Sequence, residues 1–218
     1  LPFAALNGDI LEINNLRDFK YRGENDYTEN YVNRRYDLSK LDSLDVLLSY
    51  WDGNTAVAHF MLSFGFADET YICVSVETRV REGEAQTSLR GLFKRYGVIC
   101  ILADEEDLVK LRTDFRKEDV YLYRVKLPQL EIKAIFLDVL RRMNLLTKHS
   151  VYYNTLTFNC FTSLIPSLSA AEPGSRWDYR MVLNGYLDRL LWEEGLIEGS
   201  RLPFKTLKSI SHINSYAA

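Results

Sequence analysis

Cys160 directly follows Asn159 in a stretch, residues 152–165, where a polar loop runs into an apolar segment predicted to be helical. A thiol at a helix start sits near unpaired backbone N–H groups and the positive end of the helix dipole, and both stabilise a thiolate. Thr155, Thr157 and Asn159 in the preceding loop are candidate caps or oxyanion donors. A cysteine nucleophile also needs a base. His59, inside the strand-like run Ala58-His59-Phe60-Met61-Leu62-Ser63-Phe64-Gly65-Phe66, is the candidate. Taken alone, His59 reads more simply as a satisfied histidine in a half-buried strand.

The neighbouring strand shifts that balance. Phe60, Leu62, Phe64 and Phe66 form one apolar face of the first strand and leave His59, Met61 and Ser63 on the other. In the following strand Ile72, Val74 and Val76 are apolar, with Cys73, Ser75, Glu77 and Arg79 opposite. Side chains alternate with a period of two, so a register that matches the apolar faces also matches the polar ones. One such register sets Glu77 directly across from His59. A carboxylate there would orient the imidazole and stabilise its cation, the third-member role in a catalytic triad. The competing reading of Glu77 is a solvated strand charge paired with Arg79. Cys160, His59 and Glu77 are therefore the candidate catalytic residues. Asn159, Ser63, Arg79 and Tyr153 are the candidate substrate contacts.

Other chemistry-bearing residues point elsewhere. Cys73 and Cys100 lie in apolar runs and read as small core hydrophobes. A disulfide between them stays open, because spacing alone does not supply the geometry. The three cysteines and three histidines show no metal-ligand spacing, so no metal or other cofactor is expected. The run Asp104-Glu105-Glu106-Asp107 reads as an acidic helix start. Arg141-Arg142 and Lys148 read as a solvated helix end that could also face anionic headgroups.

These candidates need elements to hold them. Strands are predicted over residues 16–21, 33–38, 45–51, 56–66, 71–79, 98–103 and 119–127, with a hairpin turn at 67–70. Helices are predicted over 84–96, 105–111, 180–194 and, opened by Pro128, to about residue 146. The tail from 199 to 218 reads as irregular. Strands followed by mixed helices give an α+β class, an antiparallel sheet with helices packed on it. A single domain is expected, with a catalytic core over about 41–168, an N-terminal extension over 1–40 and a helical C-terminal extension over 169–218.

The 218 residues carry 27 basic and 30 acidic side chains, a formal charge of -3. That balance argues against nucleic acid as a partner, since phosphate binding draws its affinity from a basic field. No apolar run reaches the roughly 18 residues of a membrane-spanning helix. The sequence begins at Leu1 rather than Met, so a processed or trimmed chain is expected, from which a signal peptide or anchor could have been removed.

Several spaced segments carry a resemblance: Arg17-Asp18-Phe19-Lys20-Tyr21-Arg22, Leu47-Leu48-Ser49-Tyr50-Trp51, Ala58-His59 with Leu62-Ser63-Phe64-Gly65-Phe66, Ser75-Val76-Glu77-Thr78-Arg79, Asp119-Val120-Tyr121-Leu122-Tyr123-Arg124 and Asn159-Cys160. Over roughly residues 10 to 215 the chain resembles the N-terminal periplasmic domain of Lnb-type lipoprotein N-acyltransferases. The resemblance implies a permuted papain-like core, as in NlpC-like and lecithin:retinol acyltransferase-like thiol enzymes, with the histidine strand ahead of the cysteine helix. It further implies a bacterial periplasmic, inner-membrane-associated setting. The expected activity is transfer of a fatty acyl chain through a Cys160 thioester to an amine such as a lipoprotein N-terminus, with membrane lipid and lipoprotein as partners. The residues Phe161-Thr162-Ser163 after the cysteine depart from those wider groups. Two other readings are a papain-like cysteine hydrolase, acting on a peptide or lipid, and a non-catalytic envelope module that binds through the same groove.

Overall fold

A computed structural model describes residues 1–51, 53, 55–79, 97–148, 180 and 183–216. Among them, eight strands form one sheet: β1 (Phe3–Asn7), β2 (Ile10–Arg17), β5 (Tyr31–Asp37), β6 (Leu41–Tyr50), β7 (His59–Phe66), β8 (Tyr71–Arg79), β9 (Gly97–Asp104) and β10 (Asp119–Arg124). Their spatial order is β1-β2-β9-β8-β7-β6-β10, with β5 paired to β2. The pairings are antiparallel except for one parallel contact, Arg17 with Ala103, where β2 meets β9. A separate ribbon joins β3 (Lys20–Tyr21) to β4 (Tyr27–Thr28). The fold is α+β with a mostly antiparallel sheet.

Alternation divides the sheet into two unlike faces. The even-numbered residues of β6, β7 and β8 (Leu44, Val46, Leu48, Phe60, Leu62, Phe64, Ile72, Val74 and Val76) join one continuous apolar core. Helix α2 (Gln129–Lys148) covers that face with Ile132, Ile135, Phe136, Val139, Leu140 and Met143. The Phe64 and Phe136 rings meet at 4.4 Å between centroids. The other face is capped by α1 (Glu105–Lys110), whose Leu108 and Val109 pack on Leu47, Met61, Cys73, Ala103 and Val120. Asp104 caps α1 by accepting from the Glu106 N–H, as an acidic helix start requires. A π-helical turn, Leu111–Phe115, continues α1.

The first forty residues, polar in composition, supply β1, β2 and β5 to the main sheet, more strand than the two short segments expected at 16–21 and 33–38. Leu11, Ile13 and Leu16 all enter the core. A register shift between Ile13 and Leu16, with Asn15 at φ 57°, breaks the period of two and hides the strand from a reading by alternation. The tail also departs from the irregular course expected. It forms α4 (Phe204–Ile210) and bridges β10 through Tyr121–His212, while Ile197, just ahead of it, bridges Val125 just past the end of that strand. The helix expected at 180–194 is shorter: a 3-10 turn, Asn184–Tyr186, leads into α3 (Leu187–Glu193). The helix expected at 84–96 lies outside the described residues.

Cys73 and Cys100 are both buried and unbridged. Cys100 belongs to the α2-side core and Cys73 to the α1-side cluster, so the sheet separates their thiols. Burial raises both thiols, Cys100 to about 12, which keeps them un-ionised and inert at neutral pH.

Candidate functional site

His59 opens β7, and the segment just before it is held by the C-terminal part of the chain. Asn184 Oδ1 accepts from the Ala58 N–H at 3.0 Å, and the Gly185 N–H donates to the Ala56 carbonyl at 3.1 Å. Tyr50 donates its hydroxyl to the Gly185 carbonyl at 2.7 Å, tying this clasp to the end of β6. Gly185 has no room for a side chain: a Cβ there would lie 2.3 Å from the Thr55 carbonyl oxygen. The clasp is why β7 begins at His59 rather than at residue 56.

Met61 pairs with Ser75 and Ser63 with Cys73. Continued by two residues beyond its last pair, this register would set His59 opposite Glu77, polar face to polar face. His59 Nε2 lies 2.7 Å from Ser75 Oγ and 3.2 Å from Glu77 Oε1. Ser75 Oγ in turn donates to the same Glu77 Oε1 at 2.7 Å. Arg112, carried on the π-helical turn, donates from Nη2 to that oxygen at 2.9 Å and from Nη1 to the Leu108 carbonyl at 3.1 Å. Behind Arg112, Glu118 Oε2 lies 3.9 Å from Arg112 Nε and accepts from the Ser49 hydroxyl. Three elements of the sheet and the turn that covers them thus converge at one end of the polar face.

Burial works to raise Glu77, but the charges of His59 and Arg112 and the hydrogen bonds from His59 and Ser75 outweigh it. They hold the carboxyl well below the usual carboxylate range. An ionised Glu77 only accepts hydrogen bonds, which fixes the direction of the chain. Ser75 spends its one proton on Glu77 and so accepts from His59, and Nε2 therefore carries hydrogen. In the neutral ring the basic lone pair is then on Nδ1. The arrangement is a His–Ser–Glu relay that orients an imidazole and supports its cation, which is what a general base requires.

The other candidates fall as follows. Ser63 lies on the same face of β7, but four residues along, about 13 Å away at ordinary strand rise. It is fully buried and donates to Glu105, so it belongs to a second polar cluster with Asp45, its partner across the ladder. Arg79 closes β8 opposite Gly97. Glu77 is paired with Arg112, a cation that strand alternation could not reveal because it comes from a helical turn. Cys160, Asn159 and Tyr153 lie outside the described residues. The acidic run divides its duties: Asp104 caps α1, and buried Asp107 binds Arg17 at 2.7 Å and the Phe19 N–H at 2.6 Å. Among the described residues no group of three or more His, Cys, Asp or Glu is placed to hold a metal ion. No described helix is long and apolar enough to cross a membrane.

Fold and site together define an α+β domain that presents a serine-bridged histidine–carboxylate relay at one end of an antiparallel sheet. The chain matches the family model of the Lnb N-terminal periplasmic domain over residues 27–185, and it belongs to that family. The match runs from β4 to Gly185 and so encloses His59, Ser75, Glu77, Arg112 and the Asn184–Gly185 clasp. Its family gives the chain a periplasmic, cell-envelope setting. Comparison with curated proteins and with solved structures returns no match.

Proposed function

We propose that this domain is a thiol-dependent acyltransferase of the bacterial envelope, with Cys160 as nucleophile, His59 as base and Glu77 as the group that orients it. The observation that carries the reading is the commitment of His59 Nε2 to Ser75 and Glu77, at 2.7 and 3.2 Å. With that nitrogen engaged, proton traffic to and from the thiol would run through Nδ1.

In the first half-reaction Nδ1 takes the Cys160 proton and the thiolate attacks the acyl carbonyl of a membrane lipid ester. The C–O bond breaks, the leaving alcohol recovers the proton from the imidazolium, and the acyl chain remains on sulfur as a thioester. In the second, an amine such as a lipoprotein N-terminus attacks the thioester carbonyl. The C–S bond breaks, an amide forms, and the amine proton returns through His59 to the thiol. Asn159 and the backbone N–H groups beside it are the proposed oxyanion donors, and Arg79 and Tyr153 the proposed contacts for the lipid or lipoprotein. The inner membrane would supply both substrates.

The test is intact-mass spectrometry of the chain incubated with phospholipid vesicles. A fatty-acyl mass should appear on Cys160, leave on addition of a cysteine-terminated peptide, and be absent from Cys160→Ala. Release of free fatty acid without transfer would make the protein a hydrolase. Full transfer activity in Cys160→Ala would overturn both enzymatic readings. His59→Ala should lower the acylation rate by about 10²–10⁴, the usual range for a positioned base.

A further inference from the structure

Arg112 is an expensive residue to keep. Its side chain is only 3% exposed, and its Nε is buried without a hydrogen-bond partner, 3.9 Å from Glu118. It is carried by a π-helical turn, a rare element that is frequently found at functional sites. Its Nη2 donates to Glu77 Oε1, the atom to which Ser75 donates and beside which His59 Nε2 lies. One carboxylate oxygen is thus shared between an arginine and an imidazole.

That sharing has a chemical consequence. A lone half-buried carboxylate beside His59 would favour the imidazolium, and an imidazolium cannot take a proton from a thiol. A second, permanent cation on the same oxygen offsets the carboxylate's pull. Among the described residues the charged groups facing this point are Glu77 from β8, Arg112 from the π-helical turn and, behind Arg112, Glu118 from the segment before β10. We propose that Arg112 is a positioning residue for His59: it holds the Glu77 carboxylate in place and balances its charge, so that the ring can alternate between its neutral and protonated forms. The inference rests on the reading of His59 as the working base, and it concerns a residue that acts on the ring in two ways, by holding the Glu77 carboxylate and by its own charge beside it.

The experiment is an NMR titration of the His59 ring in the full chain, which needs no turnover and no Cys160. In Arg112→Gln the protonation constant of His59 should rise about tenfold, one pH unit. An unchanged midpoint in a folded Arg112→Gln protein would overturn the proposal. A second comparison isolates the arginine without leaving a buried charge unpaired: Glu77→Gln against Glu77→Gln/Arg112→Gln. The double variant should titrate about tenfold tighter than the single one, and equal midpoints would again overturn it. In the acylation assay the acid limb of the pH–rate profile should move upward with the His59 midpoint in Arg112→Gln. If Cys160→Ala keeps full activity while the His59 midpoint still responds to Arg112, the proposed reaction fails and the electrostatic role of Arg112 stands.

Discussion

The two faces of one sheet are built on opposite principles. Toward α2, the strands present leucine, valine, isoleucine and phenylalanine, and the helix answers in kind. Toward α1 and the π-helical turn, the same strands present Ser49, Ser63 and Ser75, all fully buried, each donating to a carboxylate: Glu118, Glu105 and Glu77. A buried polar network is tolerable only when its members are satisfied, and even then it adds little to stability. The apolar face supplies cohesion, which frees the polar face to hold charge. The polar face repeats the contrast internally. Glu77 has Arg112 and the His59 ring beside it and is held low. Glu105 has Ser63, with burial as the largest influence, and burial pushes it up.

The sharpest way to break this comparison is Phe136→Ala. Phe136 is fully buried against Phe64, and removing its ring should cost about 3–5 kcal/mol in urea unfolding. Acylation per folded molecule should be unchanged; a loss below about 1 kcal/mol would mean that the α2 face does not carry the fold. Gly185→Ala comes next. Its Cβ would press on backbone atoms of residues 55–57, at 2.3 to 2.7 Å, which cannot yield as a flexible side chain would. A loss of about 2–3 kcal/mol is expected, together with a drop in activity, because the displaced segment leads into His59.

The two glutamates give opposite pH signatures. Glu77 is lowered in the folded state, so its contribution is present above the ordinary carboxylate value of about 4.3 and is lost as pH falls through its lowered folded value. Glu77→Gln should therefore cost about 1–3 kcal/mol at pH 7, with the deficit narrowing steadily below pH 4. Glu105 is raised, so its contribution is complete below about 4.3 and is lost as pH rises through its elevated folded value. Glu105→Gln should gain about 0.5 kcal/mol at pH 7 and nothing at pH 4. Parallel curves for the two variants in denaturant titrations would erase the distinction drawn between the clusters.

Much of this was readable from alternation alone. The β7–β8 hairpin declared its faces, and with them the juxtaposition of His59 and Glu77. Strand β8 has the limits expected of it, and Pro128 marked the start of α2 correctly. What stayed hidden did so for physical reasons. In β2 the bulge at Asn15 moves Leu16 onto the core face out of phase with Leu11 and Ile13. Helix α4 spans seven residues, too few for a 3.6-residue period to stand out. Arg112 sits in a helical turn, where its spacing gives no hint that it reaches a strand carboxylate 35 positions earlier. An arginine set between Leu111 and Thr113, itself buried, was the available signal, and it is a weak one. Asn184 and Gly185 look like ordinary turn residues until their contacts with residues 56–58 are seen.

That clasp has a consequence for the order in which the molecule matures. The seat of His59 is completed by Asn184 and Gly185, and the edge of β10 is closed by the stretch around Ile197 and His212. A nascent or translocating polypeptide therefore carries its histidine, and the Ser75 and Glu77 partners of that ring, long before the clasp that fixes the segment leading into it, and the seat closes only once residues 184–185 have emerged.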